Sequence, residues 1–193
     1  MYGFTQTSLI GGKKDANFFN DIFMRDTNKN IHLNSTSNGG INYLVERQPI
    51  AKIKVSYGWI IDGIEVTYNV QTPSGSGVRD TTVTLTHGSH AEVGTNTLKS
   101  ETVTVGTNET IIAVYGKAGR YTAGATDRDM VHTINFVILD RSTQQVRTVG
   151  PFGTSTGGSP YCCTDPCAFG GFATVDNTEG LCGLFFFKGT DLL

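Results

Sequence analysis

Ile53-Lys54-Val55-Ser56-Tyr57-Gly58-Trp59-Ile60-Ile61-Asp62-Gly63-Ile64-Glu65-Val66-Thr67-Tyr68 is the stretch whose reading decides the fold. Ile53, Val55 and Tyr57 alternate on one side of a turn, and Ile64, Val66 and Tyr68 on the other. Period-two alternation of β-branched and aromatic residues is the pattern of half-buried strands, so the segment predicts a hairpin folded at Gly58-Trp59. Asp62 follows Gly58 by four positions. A permissive backbone donor near a fixed carboxylate can bind hydroxyl groups, and equally an Asp can do no more than brace its own turn.

Outward from the hairpin, the same pattern repeats. Val78 to Thr86, Leu98 to Val105, Glu109 to Tyr115, Val131 to Leu139, Gln144 to Val149, Ala168 to Thr174 and Leu181 to Phe187 all read as strands. Thr5 to Ile10 reads as a strand ended by Gly11-Gly12, Asp26 to Gly40 as a polar loop, and the segment before Met130 as turn-rich. No segment combines a helical period with helix caps. Ile53, Ile111 and Phe169 each open an apolar run followed by a glycine turn and a second apolar run, and they stand 58 residues apart. Three such units predict a pseudo-threefold arrangement of antiparallel sheets, because one four-stranded unit cannot bury its own apolar face.

The 193 residues, rich in glycine and threonine, fit one all-β domain. A net charge of −2, without a Lys/Arg run, excludes a nucleic-acid partner. No stretch approaches the ~20 apolar residues of a membrane span, so membrane insertion is not expected. Ser8-Leu9-Ile10-Gly11-Gly12 is too short for a secretion signal, which makes the cytoplasm the expected location, with non-classical release as the other route. Cys162, Cys163, Cys167 and Cys182 are then expected as thiols. Cys163-x3-Cys167 has no histidine after it, so no metal and no cofactor is expected. Enzyme signatures are missing too. Gly11-Gly12-Lys13-Lys14 lacks the spacing of a phosphate-binding loop, and no G-x-S-x-G elbow is present.

The hairpin, Gly150-Pro151-Phe152-Gly153 with Thr156-Gly157-Gly158-Ser159-Pro160-Tyr161, and Gly171-Phe172 with Gly180 together resemble the jacalin-related lectins, on their mannose-binding branch. The resemblance covers about residues 50 to 188. It implies a β-prism: three four-stranded antiparallel Greek-key sheets with pseudo-threefold symmetry. Residues 1–49 would supply a first strand plus an inserted or extended loop, and residues 50–193 the prism body, as a single domain overall. The family's main sugar site pairs a Gly-Gly loop with a G-x-x-x-D turn near the C-terminus. Here that turn reads Gly180-Leu181-Cys182-Gly183-Leu184, with Leu184 at the carboxylate position. Its candidate remnants are Gly39, Gly40, Asp176, Leu181 and Cys182, with Glu179 as another acid nearby.

A second site, on the first hairpin of some members, corresponds to Gly58, Trp59, Ile60, Ile61 and Asp62, faced by Gly88 and Ser89. The resemblance therefore implies a metal-independent lectin for mannose- or glucose-type glycans or glycoproteins. Galactose or GalNAc binding, or a prism that binds proteins and no sugar, are the alternatives. Homo-oligomerisation is expected, because weak single sites gain from multivalency.

Overall fold

The computed structural model describes residues 2–25, 31–35, 41–75, 77–90, 98–123, 126–174 and 180–191. Its strands are β1 (Tyr2–Gln6), β2 (Ile10–Gly11), β3 (Asn17–Asn20), β4 (Ile22–Arg25), β5 (Ile31–Leu33), β6 (Tyr43–Leu44), β7 (Ile50–Tyr57) and β8 (Ile61–Ser74). There follow β9 (Gly77–Gly88), β10 (Lys99–Thr104), β11 (Glu109–Ala123), β12 (Thr126–Asp140), β13 (Gln145–Phe152), β14 (Ser159–Thr164), β15 (Pro166–Ala173) and β16 (Leu181–Asp191).

Three antiparallel sheets result, as the repeat pattern predicts. One runs β14-β11-β12-β13, and a second contains β10-β7-β8-β9. Both follow Greek-key order, in which three hairpin-linked strands are joined by a fourth returning beside the first. The third sheet, β3-β15-β16-β1, reaches the same order by uniting the two ends of the chain. Two sheets exceed four strands: β2 adds to β16, and β6, β5 and β4 extend the second sheet along the edge of β8 beyond β7.

Ile53, Ile111 and Phe169, the residues 58 apart, lie on β7, β11 and β15 and are all buried. Around them one apolar core runs from Ile22 to Phe187, fed by the inner faces of all three sheets. The opening hairpin behaves as its alternation requires: Ile53, Val55, Ile64, Val66 and Tyr68 have no exposed surface.

Several elements differ from the sequence reading. Thr5 to Ile10 is two strands with a break, because β1 pairs with the end of β16 and β2 with its beginning. The turn-rich reading before Met130 gives way to one long hairpin of β11 and β12. Gly116 lies against the carbonyl of Thr133, and Gly119 reaches within 3.3 Å of Gly158, measured from an added Cβ. These glycines permit close backbone approach inside a strand, where sequence alone suggests a break.

The segment after β3 is pinned by a buried carboxylate. Asp21, fully buried, accepts a hydrogen bond from the Tyr68 hydroxyl and contacts His87 Nε2 at 2.6 Å. Tyr68 in turn accepts from the Phe169 amide at 3.2 Å. Burial, and after it the Asp21 charge, hold the Tyr68 phenol well above its ordinary range. The Phe19 ring stacks on His87 with centroids 3.8 Å apart.

Candidate functional site

The turn from β7 to β8 separates its residues by role. Ile60 and Ile61 are buried and offer the site backbone only, whereas Trp59 is 64% exposed. The Trp59 carbonyl accepts from the amides of Thr154 (3.1 Å) and Ser155 (2.8 Å), so the tip is tied to the loop after β13. Asp62 is half-buried. Desolvation pushes its carboxyl up to about 6, partly opposed by the Gly58 amide. Its Oδ2 is sheltered from solvent and has no hydrogen-bond partner among the described residues. A desolvated carboxylate oxygen without a donor is costly, and a ligand hydroxyl is the kind of group that would satisfy it.

Gly88 and Ser89 meet this turn from β9. Gly88 (φ +79°) abuts the Asp62 carbonyl, and the Ser89 amide donates to the same carbonyl at 2.8 Å. That frame recurs in the other two sheets. Gly11 (φ +73°) abuts the Cys182 carbonyl, with the Gly12 amide donating to it at 2.9 Å. Gly153 (φ +81°) abuts the His132 carbonyl. A side chain at any of the three would meet both a strained φ and a carbonyl, so glycine is required. The second strand of each sheet thus presents one equivalent position: Asp62 on β8, His132 on β12 and Cys182 on β16.

The three positions differ chemically. Cys182 is fully buried, against Ile60 and Met130. His132 is buried too and internally bonded. Its Nε2 lies 3.0 Å from the Gly119 carbonyl, which can only accept, and Nδ1 lies 2.6 Å from the Ser155 hydroxyl. Asp62 alone of the three carries a carboxylate.

This register corrects one sequence assignment. Gly63 pairs with Gly88 and Gly183 with Gly11, so the counterpart of Asp62 is Cys182, not Leu184. Leu184 lies two residues on and faces the core. The matching runs Asp62-Gly63-Ile64 and Cys182-Gly183-Leu184 were the available signal. Of the other main-site remnants, Leu181 is buried with its Cδ2 toward Gly88, while Gly39, Gly40 and Asp176 lie outside the described residues, as does Glu179. The glycines that meet the C-terminal turn are Gly11 and Gly12, which sequence reasoning read as a strand end. All four cysteines are free thiols, and among the described residues no group of three or more His, Cys, Asp or Glu is placed to hold a metal. A cavity of about 830 Å³ lies away from these turns, between Tyr43, Arg47, Arg141 and Asp165.

Three Greek-key sheets with a glycine-faced turn in each define a β-prism of the lectin type. The Jacalin-like lectin domain family matches residues 9–179, and the chain belongs to that family, which is one of lectins and not of enzymes. Among solved structures, it is similar to artocarpin in complex with mannotriose (17% identity, TM-score 0.62, 97% of each chain covered). It is also similar to AcmJRL, a mannose-binding jacalin-related lectin from Ananas comosus (18% identity, TM-score 0.61, 95% and 96% covered). Wild-type Malaysian banana lectin is a third (17% identity, TM-score 0.57, 96% and 97% covered). At these identities the likeness establishes the fold. No curated protein matches the sequence.

Proposed function

We propose that this chain binds mannose- or glucose-type glycans, without a metal, at the locus formed by Gly58, Trp59, Ile60, Ile61, Asp62, Gly88 and Ser89. The observation that carries this is the half-buried Asp62 carboxylate with an unpartnered oxygen, beside a glycine-bordered turn. A pair of vicinal hydroxyls can donate to one carboxylate while accepting from backbone amides of the same turn, and charge-assisted bonds of this kind are the strong ones. Because Oδ2 is sheltered, binding includes a small shift of the groups that cover it. Trp59 supplies an exposed indole face for the apolar side of the ring. The choice of mannose or glucose follows the mannose-binding neighbours; galactose or GalNAc is the competing epimer. Oligomerisation belongs to the same proposal, since copies of a weak site gain by effective concentration.

Two measurements test the chemistry of the locus. Hydroxyl donors need the ionised carboxylate, so affinity for methyl α-mannoside should fall as pH drops through about 6, the value to which burial raises Asp62. A titration flat from pH ~7.5 to ~5 would remove Asp62 from the site. Trp59→Ala should weaken the same titration about two- to tenfold, matching the ~0.5–1.5 kcal/mol of an aromatic contact. An unchanged constant would make the indole a bystander.

One observation favours a second reading, a prism that binds proteins and no sugar: two of the three equivalent positions, Cys182 and His132, have no carboxylate. A glycan array at high protein concentration separates the two. Signal on mannosides or glucosides supports the lectin reading, and silence across all hexoses supports the second.

A further inference from the structure

The end of the prism remote from the glycine-faced turns is hollow. The cavity of about 830 Å³ opens there, bordered by Gly189, near the end of β16 away from Leu181. Ile111 of β11 and Pro166 of β15 give it a buried floor, and Leu44 lines one side. Val78 stands on the rim, an apolar side chain left 66% exposed. One wall is the added segment that carries β6. It is pinned to β8 by the pairing of Tyr43 with Gln71 and by the Val45 amide, which donates to the Asn69 carbonyl at 3.0 Å. The Asn69 side chain donates in turn to the Gln48 carbonyl at 2.8 Å.

Four charged side chains reach this cavity. Glu46 and Arg47 come from the β6–β7 connection, Arg141 from the β12–β13 turn and Asp165 from the β14–β15 turn. None of them makes a side-chain hydrogen bond or an ion pair among the described residues. Arg120 and Arg147, by contrast, each hold a carboxylate, at 2.8 and 2.7 Å. Two guanidiniums and two carboxylates thus share one opening without pairing. Their charges cancel, so neither a simple anion nor a simple cation gains from the whole set, whereas a molecule carrying both signs does. The apolar floor asks for an apolar body between those charges, and the volume falls within the ~300–1,000 Å³ of small-molecule sites.

We propose that this cavity binds a short zwitterionic peptide with apolar side chains. Arg47 and Arg141 receive its carboxylate, and Glu46 and Asp165 its ammonium group. A guanidinium can hold a carboxylate bidentately, which sets the direction in which the peptide lies. The site is separate from the hexose locus and does not depend on it.

The probe is leucyl-phenylalanyl-leucine in four forms: free, N-acetylated, C-amidated and blocked at both ends. The backbone amide signals of Val78, Thr110 and Gly189, which border the cavity, report binding, and that of Ser89 reports the hexose locus. The free peptide should shift the first three and spare Ser89. Blocking either end should weaken binding at least about tenfold, the effect of losing one charged hydrogen bond. Arg141→Gln should weaken the free peptide by a similar factor and leave the C-amidated form, which has no carboxylate, unaffected. Asp165→Asn, which keeps a residue suited to φ +50°, should weaken the free peptide and leave the N-acetylated form unaffected. Silence at Val78, Thr110 and Gly189 overturns the proposal, as do four forms that bind alike or variants that bind the free peptide normally. An N-acetylated peptide bound more tightly than the free one also overturns it, and makes the cavity an anion site.

Discussion

Replacing Asp62 by asparagine should weaken hexoside binding at its locus at least ~100-fold and, at the same time, raise the melting temperature. The two effects have one cause. Each hydrogen bond that a carboxylate accepts is worth about 1.5–3 kcal/mol, so losing two charge-assisted bonds removes about 3 kcal/mol or more from binding. In the free protein the same charge is a burden. Burial raises the folded-state pKa to about 6, above the value of 3.8 expected in the unfolded chain. The folded state therefore holds the proton more tightly, and stability falls as pH rises from about 4 to 6. An asparagine side chain carries no charge, so the stabilising effect of Asp62→Asn should be full above pH ~6 and vanish below pH ~4. Thermal melts of both proteins at pH ~7.5 and ~3.5, beside a mannoside titration at pH ~7.5, check both signs. An Asp62→Asn variant that binds normally would move the site elsewhere. One that melts lower at the higher pH would mean that Asp62 braces its turn.

Asp21→Ala is the substitution with the largest expected effect on stability. The carboxylate is fully buried between the Tyr68 hydroxyl and His87 Nε2, and its backbone also joins β15 through the bond from the Asp21 amide to the Phe169 carbonyl at 3.0 Å. Removing one member of such a network strands the others without partners and costs about 3–5 kcal/mol. Denaturant unfolding of Asp21→Ala should lose that amount, and Tyr68→Phe a smaller part, since the ring still fills its place. A loss below about 1 kcal/mol for Asp21→Ala would show that water or side-chain rearrangement satisfies His87 and Tyr68 without it.

Much of this architecture is legible in the residues, for a physical reason. Strands buried on one face must alternate, so the hairpin from Ile53 to Tyr68 announces itself, and the recurrence at Ile111 and Phe169 announces that there are three. What escapes is whatever depends on partners distant in sequence. β14 reads Ser-Pro-Tyr-Cys-Cys-Thr and looks like a loop; among the described residues it is an edge strand paired with β11, a position where Pro160 is tolerated. Gly116 of β11 looks like a turn because the carbonyl of Thr133 that excludes a side chain there belongs to another strand.

The candidate loci divide in the same way. Asp62 stands out because turn and carboxylate are contiguous. The pair of Gly11 and Cys182 does not, because the loop and the turn it meets lie at opposite ends of the chain. Counting along a turn selects Leu184 as the counterpart of Asp62, whereas the pairing of Gly183 with Gly11 selects Cys182 by register.

The register of β1 with β16 carries a practical consequence. Tyr2 pairs with Asp191, at the end of β16 remote from Leu181, where the glycine-faced turns gather. A tether, a fused domain or a sensor surface attached beside Tyr2 or Asp191 would therefore be held on the side facing away from those turns, leaving the Asp62 turn directed toward whatever is in solution.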